Sequence, residues 1–103
     1  MGEIGTTLVG GGWASWCAPT RRQCQNWGGD ALLGAVQSFR SGDKPYWVRV
    51  KYRDREVIVR VVSYCACGSR RGIATLIDLS PAAMKALEPR YRILGIIMVE
   101  IER

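Results

Sequence analysis

The chain contains no histidine, so the side chain that most often moves protons near neutral pH is missing. Ser-His-Asp and Cys-His machinery are excluded with it. Chemistry must come from carboxylates, cysteines and arginines, and Asp78 is the carboxylate with the most distinctive setting. It lies in LIDLSPAAMKAL, residues 76–87, where an apolar strand runs into a short helix. Ser80 stands at the expected N-cap, its hydroxyl able to accept a bond from a first-turn amide. Pro81 follows at the first helical position, where no N–H is needed. Ala82, Ala83, Met84, Ala86 and Leu87 are helix formers that give one apolar face. Taken alone, this stretch explains Asp78 as a carboxylate near a positive helix end. The sharper alternative is that strand and helix hold the acid at the floor of a groove. Asp30, Asp43 and Asp54 fall in turn-like segments, where solvated carboxylates are ordinary.

The four cysteines, Cys17, Cys24, Cys65 and Cys67, form two groups. Cys-x-Cys residues seldom bond each other, because strand geometry holds their side chains apart. Cross-pairs are therefore expected, Cys17 with Cys65 and Cys24 with Cys67 or the reverse. Each would close a loop of about 45 residues, contributing on the order of 3 to 4 kcal/mol by chain entropy. A single bridge, or a local Cys17–Cys24 bridge, is the alternative. A Cys₄ zinc site normally uses two C-x₂₋₄-C knuckles. Here six residues separate the first pair and one the second, so disulfides are expected and no metal or other cofactor. Such bridges imply work outside a reducing cytosol.

The elements that must position these groups are mostly strands. With 103 residues and 48% hydrophobic content the chain suits one domain, spanning 1–103, with a core of its own. Residues 4–9 read as a first strand or N-terminal extension, ending in the flexible run Gly10-Gly11-Gly12, and Trp13–Trp16 as a strand. Residues 17–30 read as a loop, and 31–39 as a short helix or turn from the stripe Leu32, Leu33, Val36 and Phe39. Tyr46–Tyr52 and Val57–Tyr64 form a hairpin about Asp54-Arg55, the second strand interrupted by Arg60. Residues 65–72 form a loop, Ile73–Ile77 a strand and Ser80–Leu87 the helix. Glu88-Pro89 ends the helix, because a residue before proline is pushed out of the α region. Ile93–Ile101 closes the chain as a strand. No run approaches the ~18 apolar residues of a membrane span. Nor does a basic stretch followed by an apolar one, the mark of a secretion signal, open the chain.

The stretch from Val57 to Leu87, VIVRVVSYCACGSRRGIATLIDLSPAAMKAL, resembles the second half of double-psi β-barrel domains of the RlpA-like (rare lipoprotein A) and bacterial expansin group. There a V-x-V-x-D strand and a loop precede [IL]-D-L-S-x-x-A-[FM]. GGWASWC resembles the group's G-x-A-[ST]-[WY]-Y opening and GIIMVEIE its closing strand, so the likeness runs from Gly11 to Glu102. It implies a mainly β fold, a six-stranded double-psi β-barrel with one or two short helices. It also implies a cell-wall partner, peptidoglycan or a related polysaccharide, and an extracellular or envelope location.

Carried over by residue, Asp78 matches the acid on which expansin wall loosening depends. Ser15 matches the small hydroxyl facing it, and Trp13 and Trp16 match the groove aromatics, on which sugar rings stack. Arg60 and Tyr64 join them as candidate ligand contacts. Two departures stand out. Ser63 replaces the acid of V-x-V-x-D, and the septal enzymes' histidine has no counterpart, with Gln37 near its place. A lytic transglycosylase-like or non-hydrolytic loosening reaction, using one acid, is therefore the expected limit of any activity. A pair between Arg60 and Asp78 would count against it by lowering the acid's pKa.

A non-catalytic module of an envelope or phage virion is the competing reading. A zinc-stabilised nucleic-acid module ranks third. It draws on the net charge of +6 and on the cluster Arg40, Arg49, Lys51, Arg53, Arg60, Arg70 and Arg71, which would equally suit wall carboxylates or teichoic phosphate.

Overall fold

The computed structural model describes residues 8–103, and most of the strand expected over 4–9 lies outside them. Among the described residues there are seven strands: β1 (Leu8–Trp16), β2 (Leu33–Val36), β3 (Tyr46–Tyr52), β4 (Arg55–Tyr64), β5 (Ser69–Arg70), β6 (Ile73–Leu79) and β7 (Ile97–Glu102). The two helices are short, α1 (Pro81–Leu87) and α2 (Tyr91–Leu94). Strand order β1-β7-β3-β4-β2-β6, with β6 returning to β1, closes a six-stranded barrel, and β5 adds a hairpin arm on β6. The barrel is mixed: β1–β6 and β2–β4 are parallel, the other neighbours antiparallel.

Alternation along the strands fills the barrel. In β4, Val57, Val59 and Val61 are buried while Ile58 and Arg60 face out. Across the hairpin Val48 sits opposite Val59, and Val50 opposite Val57. β6 contributes Thr75, Ile77 and Leu79, and β7 contributes Ile97, Val99 and Ile101. Met84 and Leu87 of α1 join the same core. Each of the valine, leucine, isoleucine and methionine side chains, fully buried, stabilises the fold by about 1.5–3 kcal/mol. The hairpin forms as expected, but it turns at Arg53-Asp54 rather than Asp54-Arg55, which pairs Tyr52 with Arg55, and Arg53 takes a left-handed φ of 54°.

Three expectations about elements are corrected. Gly10–Gly12 is strand rather than a flexible run. β1 is wedged between β6 and β7, and a Cβ at Gly12 would lie 2.5 Å from the Ala74 carbonyl oxygen. Only a residue without a side chain lets the barrel close there. Residues 33–36 form β2, not a helix, because pairing with both β4 and β6 overrides a weak helical stripe. Finally, the closing strand begins at Ile97, since Tyr91–Leu94 is α2, ended by Gly95 at φ 78°.

Ser80 is also used differently. It makes no cap bond to α1. Fully buried, its hydroxyl donates to the Ala31 carbonyl at 2.6 Å and accepts from the Leu33 amide at 3.0 Å. The α1 entrance is thereby tied to the chain entering β2. Pro81 opens α1 as expected, and Glu88 leaves it in extended conformation.

Candidate functional site

Alternation on β6 turns Asp78 away from Ile77 and Leu79 onto the outer face of the barrel. The strand pairings then lay out a row across four strands. Ser15 on β1 is opposite Asp78, Asp78 is opposite Ala35 on β2, and Ala35 is opposite Ser63 on β4. The parallel pairs slip by one residue near this row, between Trp13 and Ala14 and between Gly34 and Ala35, which brings Ser15 and Ser63 into line. Ser15 Oγ donates to Asp78 Oδ1 at 3.0 Å.

Loops convert this row into the floor of a groove of about 760 Å³. One wall is the segment after β1, carrying Ala18, Arg21, Gln23, Cys24 and Trp27. The other runs from Ser63 and Tyr64 through Cys67 to Arg70, and Trp16 with Ile96 closes one side. Trp16 is half-buried and meets the Tyr91 ring edge-on, centroids 5.0 Å apart. Tyr64, 59% exposed, offers a free ring face at the rim.

Asp78 is half-buried, and its carboxyl pKa is raised above the ordinary range. Desolvation is the main cause, against which the Ser15 hydrogen bond and the Arg21 charge act more weakly. Among the described residues, every one lining the groove other than Asp78 is uncharged or basic. The site therefore offers one carboxyl group on the groove floor, with a hydroxyl on each side of it in the row.

All four cysteines are in disulfides, but the pairing is local: Cys17–Cys24 and Cys65–Cys67. The expected cross-pairs are thus corrected. Strand geometry does not apply to Cys65 and Cys67, because β4 ends at Tyr64 and the chain then bends through Gly68 at φ 67°. In the first loop a 3-10 turn at Arg22–Cys24 brings the chain back on itself, with Cα atoms 6.1 Å apart. Both bridges pack with Trp27 and Ala35 in a small second core beneath the groove. The Cys17 and Cys24 sulfurs lie within 4.8 Å of an Asp78 oxygen. Being bonded to each other, they present no thiolates for a metal.

The other predicted site residues divide. Ser15, Trp16, Ser63 and Tyr64 reach the groove beside Asp78. Trp13 does not: it lies near Tyr52, Leu94 and Met98, and its indole N–H donates to the Arg70 carbonyl at 2.9 Å. Arg60 is exposed on the outer face of β4, opposite Trp47 and Leu33. Its interruption of the apolar strand is the outward phase of the alternation, and among the described residues it pairs with no acid. Gln37 lies at a separate depression near Tyr46 and Leu76. Arg21 and Trp27 are groove residues that sequence reasoning passed over. Their place depends on the Cys17–Cys24 loop folding back, which no local pattern announces.

No family model matches the chain, and no curated protein is significantly similar to it. Among the described residues, no helix is long and apolar enough to cross a membrane.

Proposed function

We propose that this protein is a cell-wall glycan-binding barrel of the RlpA-like and expansin-like kind, working outside the cytosol with Asp78 at the centre of its groove. The observation that carries this reading is a half-buried carboxyl of raised pKa in an open groove, unpaired with Arg60 and flanked by aromatic rings. Sugar rings stack on such faces, while hydroxyls such as Ser15 and Ser63 meet the ring substituents. Local disulfides agree with an oxidising compartment.

A hydrolase of ordinary type uses two carboxylates. With one, the fitting reaction is a lytic transglycosylase step. The Asp78 carboxyl gives its proton to the leaving glycosidic oxygen as the C–O bond breaks. The resulting carboxylate takes the proton of a hydroxyl on the same sugar as that hydroxyl closes onto the anomeric carbon. The products are a shortened strand and an anhydro sugar. Chromatography of soluble fragments from purified sacculi tests this: wild type releases anhydro-terminated fragments and Asp78→Asn releases none. Equal release by the two proteins would sink the catalytic reading.

A second reading, a binding or assembly module of an envelope or virion without turnover, is favoured by Ser63, which leaves the row with a single acid. Wall pull-down without released fragments would select it.

A further inference from the structure

We infer that the groove selects anionic glycans, with Arg21 and Arg70 receiving a carboxylate carried by the ligand; this rests on the glycan-binding reading above. Both arginines line the groove, one on each wall, and both are exposed. Neither forms a salt bridge with an acid among the described residues, in contrast to Arg49, Lys51 and Arg90. Asp78, the single acid lining the groove among the described residues, does not neutralise two guanidinium groups, and burial favours its uncharged form. An uncompensated pair of guanidinium groups in a concave site attracts carboxylates, which they bind with charge-assisted, often bidentate geometry.

The backbone holds both residues in place. Arg21 lies inside the loop closed by Cys17–Cys24, its amide bonded to the Ala18 carbonyl and its own carbonyl to the Cys24 amide. Arg70 lies in β5, paired with Ile73, and its carbonyl accepts the Trp13 indole N–H. Anchored backbones reduce the ordering cost of binding, so the two charges act as prepared contacts. The position of Trp13 away from the groove thereby acquires a role, as support for Arg70.

The test is equilibrium binding, read by tryptophan fluorescence, to three forms of one polymer. These are peptide-free peptidoglycan strands, the same strands with carboxyls reduced to alcohols, and strands retaining their stem peptides. The reduced strands are expected to bind about tenfold more weakly than the native ones, the effect of losing a partly solvated charge-assisted contact. Arg21→Gln combined with Arg70→Gln should erase that difference, while added salt should shrink it. Preference for peptide-bearing strands would place the carboxylate on the peptide, and preference for peptide-free strands would place it on the sugar, whose lactyl carboxyl the stem peptide consumes as an amide. Binding of reduced strands within twofold of both native forms overturns the inference. If Trp16→Ala still weakens both, the glycan reading survives that failure. If no strand binds, both fall together.

Discussion

Ser80→Ala separates a helix cap from a buried tether. In the folded protein the Ser80 hydroxyl is fully buried, donates to the Ala31 carbonyl and accepts from the Leu33 amide. Removing it strands one donor and one acceptor, each worth about 1–3 kcal/mol when left unsatisfied. Ala31 is only half-buried, so its carbonyl recovers part of that loss from water. A total of about 2–4 kcal/mol follows. For a domain of this size that lowers the melting temperature by roughly 10–25 °C. A conventional cap would cost about 1 kcal/mol. Ser80→Asp sharpens the contrast, since aspartate is an excellent cap. A buried aspartate cannot donate to Ala31 and adds an uncompensated charge. Urea unfolding of the three proteins at neutral pH decides between them. A loss near 1 kcal/mol for Ser80→Ala, or wild-type stability for Ser80→Asp, would refute the tether.

Other expectations follow from the site and the barrel closure. Because burial raises the folded-state pKa of Asp78, the native state holds that proton more tightly than the unfolded chain. Stability should fall as pH rises from the ordinary carboxylate range through the raised value, and Asp78→Asn should flatten that part of the profile in denaturant titrations. A steeper decline in the variant would contradict the sign. Gly12→Ala should destabilise by about 2 kcal/mol or more, because its Cβ meets the Ala74 carbonyl oxygen, a backbone atom. Gly11→Ala, 3.7 Å from the Val99 carbonyl oxygen, should change the unfolding midpoint little. Proteolytic mapping without reduction should recover Cys17 joined to Cys24 and Cys65 to Cys67, and a peptide linking the two groups would reject the local pairing. Replacing both Cys17 and Cys24 by Ser should cost about 2.5 kcal/mol in thermal unfolding, more than the same change at the tighter second loop.

Much of the barrel was legible because strand alternation is local. Val48, Val50, Val57, Val59 and Val61 share a face whatever the topology, and the expected turn at Asp54-Arg55 lies one residue from the observed one at Arg53-Asp54. The Pro81 helix start and the Glu88-Pro89 stop are equally local, fixed by what a pyrrolidine ring permits. Asp78 stood out for the same reason, as an acid at a strand-to-helix junction.

The tertiary structure alone decided what surrounds that acid. Gly12 shows as strand only once β6 and β7 close on either side of it, and β2 exists through its two partners rather than its own propensity. Ser80, cap-like by position, is claimed by Ala31 and Leu33 from 49 and 47 residues away. The disulfides pair locally because the chain leaves strand geometry at Cys65 and turns back at Cys24, and this puts Arg21 and Trp27 on the groove. Side-chain direction follows from local backbone, so sequence gives which face a residue takes. Which neighbours meet it there depends on strand register and loop return, set by contacts distant in the chain.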